Sequence, residues 1–256
     1  MTGGCYGIME ENNLACILLQ SGDFGAAHHA LQRALLSLKD ELRQQAISES
    51  ESTFRCSAAS YSREEGSESL PEVTCNDDGD GDDDMDCETL PSKSMQSVPV
   101  VAALCPRTNS HTTNISMYNR AFILSIDEEE WNFEYKQWAS AIVFYNMGLV
   151  HHSKAAHTSN DSYLRIALRF YDMATSLVDL INASDDFNMM LLKSAITNNT
   201  AHCHACLFDV CGAELAFQEL QRLLNKLSDQ LDVEDYSVFF LNTILQVSCL
   251  RLAPAA

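Results

Sequence analysis

Apolar residues recur at helical spacing over most of the chain, with one long interruption. Residues 8–42, and residues from about 115 onward, carry apolar stripes with a period near that of a helix that buries one face. Between them, residues 43–114 are polar and lack this period. No run of alternating strands is present, so the pattern predicts an all-α protein with a long insert after its first helices.

The first helical part divides into two helices at a short turn. Ser-Gly-Asp at residues 21–23 separates an apolar stripe around Leu18 from a second stripe around Leu31. Two amphipathic helices joined by a short turn form an αα-hairpin. The sequence therefore predicts that residues 1–42 are one helical hairpin.

The part after the insert, residues 115–256, opens with an ambiguous stretch and continues as helices. Residues 115–126 fit neither period well, and an extended conformation is favoured. Asp127 then has the character of an N-cap, with three glutamates in the first turn of a helix that continues to about residue 154. Four further helical patterns follow, at about residues 161–181, 187–208, 212–231 and 233–252.

The insert is strongly acidic and rich in serine. Residues 43–114 hold five basic and fourteen acidic residues. Such a segment buries too little apolar surface to offset its ordering entropy, so a disordered acidic insert is predicted. The run at residues 76–81 resembles the opening of an EF-hand loop, but its twelfth position is Cys87 instead of Glu. A solvated linker is favoured there over calcium binding.

The charge of the whole chain restricts the class of partner. With 36 acidic and 16 basic residues the net charge is −20, which disfavours nucleic acid and anionic membranes because phosphates need a basic patch. Proteins or peptides, basic ones most easily, are the expected partners. Without a signal sequence or a membrane span, the expectation is a soluble intracellular protein of the cytoplasm, with nuclear entry left open, whose ten cysteines are reduced.

A short pattern recurs in three pairs of helices. Residues 12–15, 145–148 and 198–201 each place an asparagine two positions before a small residue. The helix that follows each of them carries a small residue, a large one four positions later and a third three further on. These triplets are Ala27, Leu31 and Ala34; Ala167, Tyr171 and Ala174; and Ala213, Phe217 and Leu220. Small residues let two helices approach, and the large residue fills the groove between them.

On these residues the chain resembles the tetratricopeptide (TPR) family, a helix–turn–helix repeat of about 34 residues. It resembles the uncharacterised TPR-like proteins of unicellular algae, which have an acidic insert after the first hairpin. The resemblance implies αα-hairpin repeats stacked as an α-solenoid, and a protein-binding role without a reaction or a cofactor. An unrelated helical bundle is the alternative.

In the TPR register the first helix of each pair lines a concave groove. An asparagine amide donates and accepts at once, which suits the backbone of a bound peptide. The predicted function is an adaptor or scaffold that binds a peptide or helix of a partner protein. The candidate residues are Asn12, Asn13, Tyr145, Asn146, His152, Asn198, Asn199 and His202. Alternatively, the asparagines satisfy neighbouring helices.

The competing hypothesis is a metal-binding or enzymatic protein that uses the histidines and cysteines near His202. Cys203 and Cys206 adjoin that histidine, and His151 and His152 on an earlier helix offer a second pair of ligands. The chain has no nucleophile elbow, no zinc-protease motif and no phosphate-binding glycine loop. We therefore expect no enzyme and assign no catalytic or metal-binding residue.

Overall fold

The computed structural model describes residues 3–60, 95–99, 117–125, 131–181, 186–227, 230–231 and 233–251. Over these ranges the chain is mostly helical, as predicted at the level of class. The elements are α1 Gly3–Ser21, α2 Phe24–Ser60, β1 Met95–Pro99, β2 Arg120–Leu124, α3 Phe133–Thr158, α4 Asp161–Leu180, α5 Phe187–Cys206, α6 Val210–Leu227 and α7 Val233–Arg251. None of these helices is long and apolar enough to cross a membrane.

Asparagine and aspartate side chains cap the start of most helices. Each accepts a hydrogen bond from a backbone N–H in the first turn, which satisfies a donor that the helix itself leaves without a partner. The caps are Asp23 for α2, Asn132 for α3, Asn160 for α4, Asp186 for α5 and Asp209 for α6. The turn between α1 and α2 needs a positive φ, which Gly22 supplies at 80°.

Helix α3 begins later than the sequence predicts. Asp127 lies outside the residues that the structure describes, and the cap is Asn132, whose side chain accepts from the N–H of Tyr135 at 2.8 Å. Trp131, just before the cap, packs its ring on that of Tyr135 with the centroids 5.4 Å apart. This apolar contact fixes where the chain enters the helix, and charge patterning alone does not reveal it.

Helix α2 continues well past the predicted boundary at residue 42, to Ser60. Neither glycine nor proline occurs between Gly25 and Gly66, so no helix-breaking residue ends the helix where its apolar stripe ends.

The chain forms two compact units, one of Met1–Lys39 with Lys93–Ala256 and one of Asp40–Ser92. Residues 61–94, with the EF-hand-like run, and residues 100–114 of the predicted insert lie outside the described part.

Within the larger unit, consecutive helices from α3 to α7 pack on one another. Arg33 of α2 joins α1 through two hydrogen bonds to the carboxylate of Glu11, at 2.6 and 2.7 Å. All nine residues of the three predicted second-helix triplets are buried. The periodicity therefore identified the core-facing side of α2, α4 and α6 correctly.

Helix α4 approaches α3 closely at Gly148 of α3. A Cβ atom added there would lie 2.5 Å from Cε1 and 2.7 Å from Cδ1 of Tyr171 on α4. The ring of Tyr171 is fully buried and therefore has little room to move. Only glycine fits at this position.

Gly148→Ala should destabilise the protein by about 1–3 kcal/mol, because the new methyl group overpacks a buried aromatic ring. Gly7→Ala is the matched control, since Gly7 is also helical and an added Cβ there meets no atom within 4 Å. The control should be neutral or slightly stabilising. Urea unfolding followed by circular dichroism measures both, and equal midpoints for Gly148→Ala and the parent would contradict the packing.

Candidate functional site

Strand β2 and its flanks, residues 117–125, lie as an extended segment against α1 and α3 and reach α5. At the centre, Asn146 of α3 contacts the backbone of Phe122 at two points. The N–H of Phe122 donates to Oδ1 of Asn146 at 3.0 Å, and Nδ2 of Asn146 donates to the carbonyl oxygen of Phe122 at 2.8 Å. The amide side chain thus supplies the pair of hydrogen bonds that a neighbouring strand would otherwise provide.

The same two-point contact occurs twice more, at the equivalent positions of α1 and α5. Asn13 accepts from the N–H of Leu124 at 2.9 Å and donates to its carbonyl oxygen at 2.9 Å. Asn199 accepts from the N–H of Tyr118 at 2.7 Å and donates to its carbonyl oxygen at 3.0 Å. Asn13, Asn146 and Asn199 are the asparagines that recur in the sequence, one in each helix.

Tyr145 holds the residue between two of these contacts. Its hydroxyl donates to the carbonyl oxygen of Arg120 at 3.0 Å. Complete burial raises the pKa of Tyr145 well above its usual 10, so the hydroxyl keeps its proton and remains a donor. Every second residue of the segment is therefore held through its backbone. We call the surface formed by Asn13, Tyr145, Asn146 and Asn199 the asparagine groove.

Asn12 and Cys16 of α1 complete the contact at the centre. Nδ2 of Asn12 donates to the carbonyl oxygen of Phe122 at 3.0 Å, and its Oδ1 accepts from Asn146 at 2.9 Å. The thiol of Cys16 lies 3.4 Å from the same carbonyl oxygen, and burial raises the pKa of this thiol to about 12. Cys16 is thus a protonated, weak donor and not a nucleophile.

Asn198 has a different role from its neighbour. Its side chain donates to Oδ1 of Asn199 at 3.3 Å and accepts from Asn242 of α7 at 2.6 Å. Asn198 therefore orients Asn199 and links α5 to α7. Asn198 therefore fits the alternative hypothesis, in which an asparagine side chain makes its hydrogen bonds to a neighbouring helix, better than direct contact with a bound peptide.

The opposite edge of β2 pairs with β1 in antiparallel register, with Val98 opposite Ala121 and Gln96 opposite Ile123. Because the backbone groups of Phe122 and Leu124 point to asparagines, the intervening residues are the ones that exchange hydrogen bonds with β1. Pro99 faces Arg120, where the ladder needs no N–H from it. Both edges of the extended segment are satisfied, one by side chains and one by a strand.

The side chains of Tyr118 and Arg120 contact α7, and sequence reasoning missed these contacts. Tyr118 stacks on Phe239 with the ring centroids 4.8 Å apart, and its hydroxyl donates to Asp235 at 3.0 Å. Arg120 donates to Asp235 and to Glu234, each at 3.0 Å. The sequence predicted a helix at about residues 233–252, but no local pattern indicates the long-range partners of its acidic first turn.

His152, which is buried, forms a pair with the partly buried His202. Nε2 of His152 lies 2.8 Å from Nδ1 of His202, and Nδ1 of His152 lies 3.2 Å from the hydroxyl of Tyr171. Burial, followed by the neighbouring His202, holds the pKa of His152 well below 6.5. Tyr171 in turn accepts from Asn199 at 3.3 Å, which connects the pair to the groove.

The cysteines near these histidines do not assemble a metal centre. Cys203 lies 3.6 Å from His152, and Cys206 lies 3.7 Å from His202. Within the described ranges, no three His, Cys, Asp or Glu side chains are grouped as a bound ion would require. The geometry gives the metal hypothesis no support.

His151, proposed above as a fellow ligand of His152, points to another side of α3. It stacks on Phe170 with centroids 5.5 Å apart and meets the edge of His28 at 5.1 Å. Neither ring nitrogen of His151 has a hydrogen-bond partner in the described part of the chain. Burial, then the nearby His28 and Lys154, lower the pKa of His151 to about 4.

The low pKa of His151 predicts acid sensitivity. Between pH 6.5 and about 4 the unfolded chain binds a proton that the folded chain does not, so the free energy of unfolding decreases as pH falls through this window. The slope from this residue is at most about 1.4 kcal/mol per pH unit. His151→Phe should remove that contribution and, by replacing a buried polar ring, stabilise the protein by about 1 kcal/mol at neutral pH.

Urea unfolding at several pH values checks this, with His157→Gln, at an exposed position, as control. The difference in unfolding free energy between His151→Phe and the parent should widen toward acid, whereas the control should follow the parent. A constant difference across the window would contradict the assignment.

No protein-family model, no curated protein and no solved structure matches this chain.

Proposed function

We propose that this chain is a protein-binding adaptor of the TPR-like type, whose asparagine groove holds an extended polypeptide segment by its backbone. The observation that carries the proposal is the threefold two-point contact of Asn13, Asn146 and Asn199 with alternate residues of one strand. A helical core needs no such contact for its own packing. Three amides with the same geometry are a receptor for backbone groups.

The register of the groove further supports a repeat protein. The three asparagines occupy equivalent positions in α1, α3 and α5, and each precedes a small buried residue by two positions. The partner helices place their small and large residues at matching core positions. A solenoid of helical pairs presents its first helices side by side, which is the arrangement that aligns one side chain from each pair along a single bound strand.

The polarity of the groove favours a peptide over a small hydrophobic ligand. Asn12, Asn146 and Asn199 are fully buried, and each makes hydrogen bonds to the occupying backbone. An apolar ligand would leave the hydrogen bonds that these amides make to the bound backbone unmade, at about 1–3 kcal/mol for each amide. An extended peptide offers the required donors and acceptors at every second residue.

The test is to convert the bound strand into a separate molecule. Protease sites are inserted at residues 61–94 and 126–130 of the full-length chain, which is folded and then cut at both. The fragment with β1 and β2 should remain bound in size-exclusion chromatography. Asn146→Ala should weaken its affinity by about tenfold or more, because the N–H of Phe122 loses its acceptor and the carbonyl oxygen of Phe122 loses one of its donors.

Asn225→Ala is the matched control, since Asn225 lies exposed on α6, and it should retain the fragment like the parent. Two results would refute the proposal. One is release of the fragment from the parent while the helical part stays folded. The other is equal retention by Asn146→Ala and the control.

A further inference from the structure

The occupant of the asparagine groove is a segment of the chain itself, and the groove contacts it mainly through backbone atoms. The groove asparagines and Tyr145 make hydrogen bonds to the N–H or C=O groups of Tyr118, Arg120, Phe122 and Leu124. Such contacts do not depend on the sequence of the bound strand. Another extended segment that presents the same groups would satisfy the same side chains.

The side chains of the segment supply the specificity. Residues 118, 120, 122 and 124 project to the same side of an extended strand because the side-chain period is two. Phe122 is fully buried against the ring of Tyr145, with centroids 5.0 Å apart, and Leu124 is 2% exposed. Tyr118 stacks on Phe239. The sites on this side therefore accept an aromatic, a basic, an aromatic and an aliphatic residue at alternate positions.

The basic residue of this pattern, Arg120, is bound at the rim of the groove by two carboxylates of α7. Arg120 keeps 21% of its side chain exposed and bridges Asp235, which is buried, and Glu234, which is 81% exposed. A carboxylate pair at this point attracts a basic residue and repels an acidic one. The net charge of −20 acts in the same direction on an approaching segment.

We propose that β2 is an internal occupant of the asparagine groove, and that an extended segment of a partner protein with the pattern aromatic–x–basic–x–aromatic–x–aliphatic replaces it. This inference rests on the proposed function. It adds the chemical class of the partner segment and the step by which this segment binds, which is the replacement of β2.

The tether between β2 and the rest of the chain determines how readily exchange occurs. A segment attached by short connections competes at an effective concentration on the order of millimolar. The apparent affinity for a partner is reduced by the fraction of molecules whose groove is open. Weakening the hold on β2 must therefore tighten partner binding by the same factor. Arg120 offers this weakening because its side chain is partly exposed, and Asp235 still accepts from the hydroxyl of Tyr118 when Arg120 is replaced.

The experiment uses the full-length chain and a fluorescent peptide with the sequence of residues 117–125. Fluorescence anisotropy measures its binding to the parent, to Arg120→Ala, and to Arg33→Ala, which removes an arginine from an ion pair outside the groove. Arg120→Ala should bind the peptide about tenfold more tightly than the parent, since the internal occupant has lost its charged contacts. Arg33→Ala should bind the peptide like the parent. Arg120→Gln repeats the test of Arg120→Ala with an uncharged side chain that is longer than alanine.

Two changes show that the peptide occupies the groove in the proposed register. Asn146→Ala added to Arg120→Ala should weaken peptide binding by about tenfold or more. A peptide with glutamate at its arginine position should bind Arg120→Ala at least about tenfold more weakly than the original peptide. Both effects follow from contacts seen with β2.

Equal peptide binding by the parent, Arg120→Ala and Arg120→Gln would overturn the inference. Equal binding of the glutamate peptide and the original peptide by Arg120→Ala would also overturn it. So would the formation of dimers in which β2 is exchanged between two copies of the chain. The cut-chain experiment separates this failure from a failure of the proposed function. A cut fragment that is held through Asn146, in a chain whose uncut form never takes up the peptide, leaves the adaptor intact and removes only the exchange.

Discussion

The two hydrogen bonds between the amide of Asn146 and the backbone of Phe122 are the interaction on which the arrangement of the larger unit depends. A strand buried among helices has no partner strand on that side, and each buried backbone group without a partner costs about 1–3 kcal/mol. The asparagines of α1, α3 and α5 remove this cost for Tyr118, Phe122 and Leu124, and Tyr145 removes it for the carbonyl oxygen of Arg120. An extended segment can therefore lie inside a helical protein.

The helices must meet closely for these amides to reach one strand. Gly148 lets the ring of Tyr171 lie against α3, and the hydroxyl of that ring accepts from Asn199 and contacts His152. Packing between α3 and α4 is thus coupled to the polar network around Asn199. The His152–His202 pair extends this network, and burial keeps His152 neutral at physiological pH.

Much of this was predictable from the sequence because it is local or periodic. Helical spacing located α3 to α7, and the recurring asparagines marked the residues that contact β2. The sequence also favoured an extended conformation for residues 115–126. It did not indicate that this stretch occupies the groove, since the contact between Asn13 and Leu124 spans 111 positions. The pairing of Arg120 with Asp235 is equally remote. The predicted start of α3 was wrong because a run of acidic residues was interpreted as the first turn of the helix. The predicted end of α2 was wrong because a change in polarity was interpreted as the end of the helix.

Residue-resolved amide hydrogen exchange tests most directly whether the asparagines hold β2. The N–H groups of Tyr118, Phe122 and Leu124 should exchange as slowly as core amides of α3, because each donates to a groove asparagine. In Asn146→Ala, protection of Phe122 should fall more than that of Tyr118, which Asn199 still holds. Exchange of all three amides at the rate of an unstructured peptide in the parent would contradict the account.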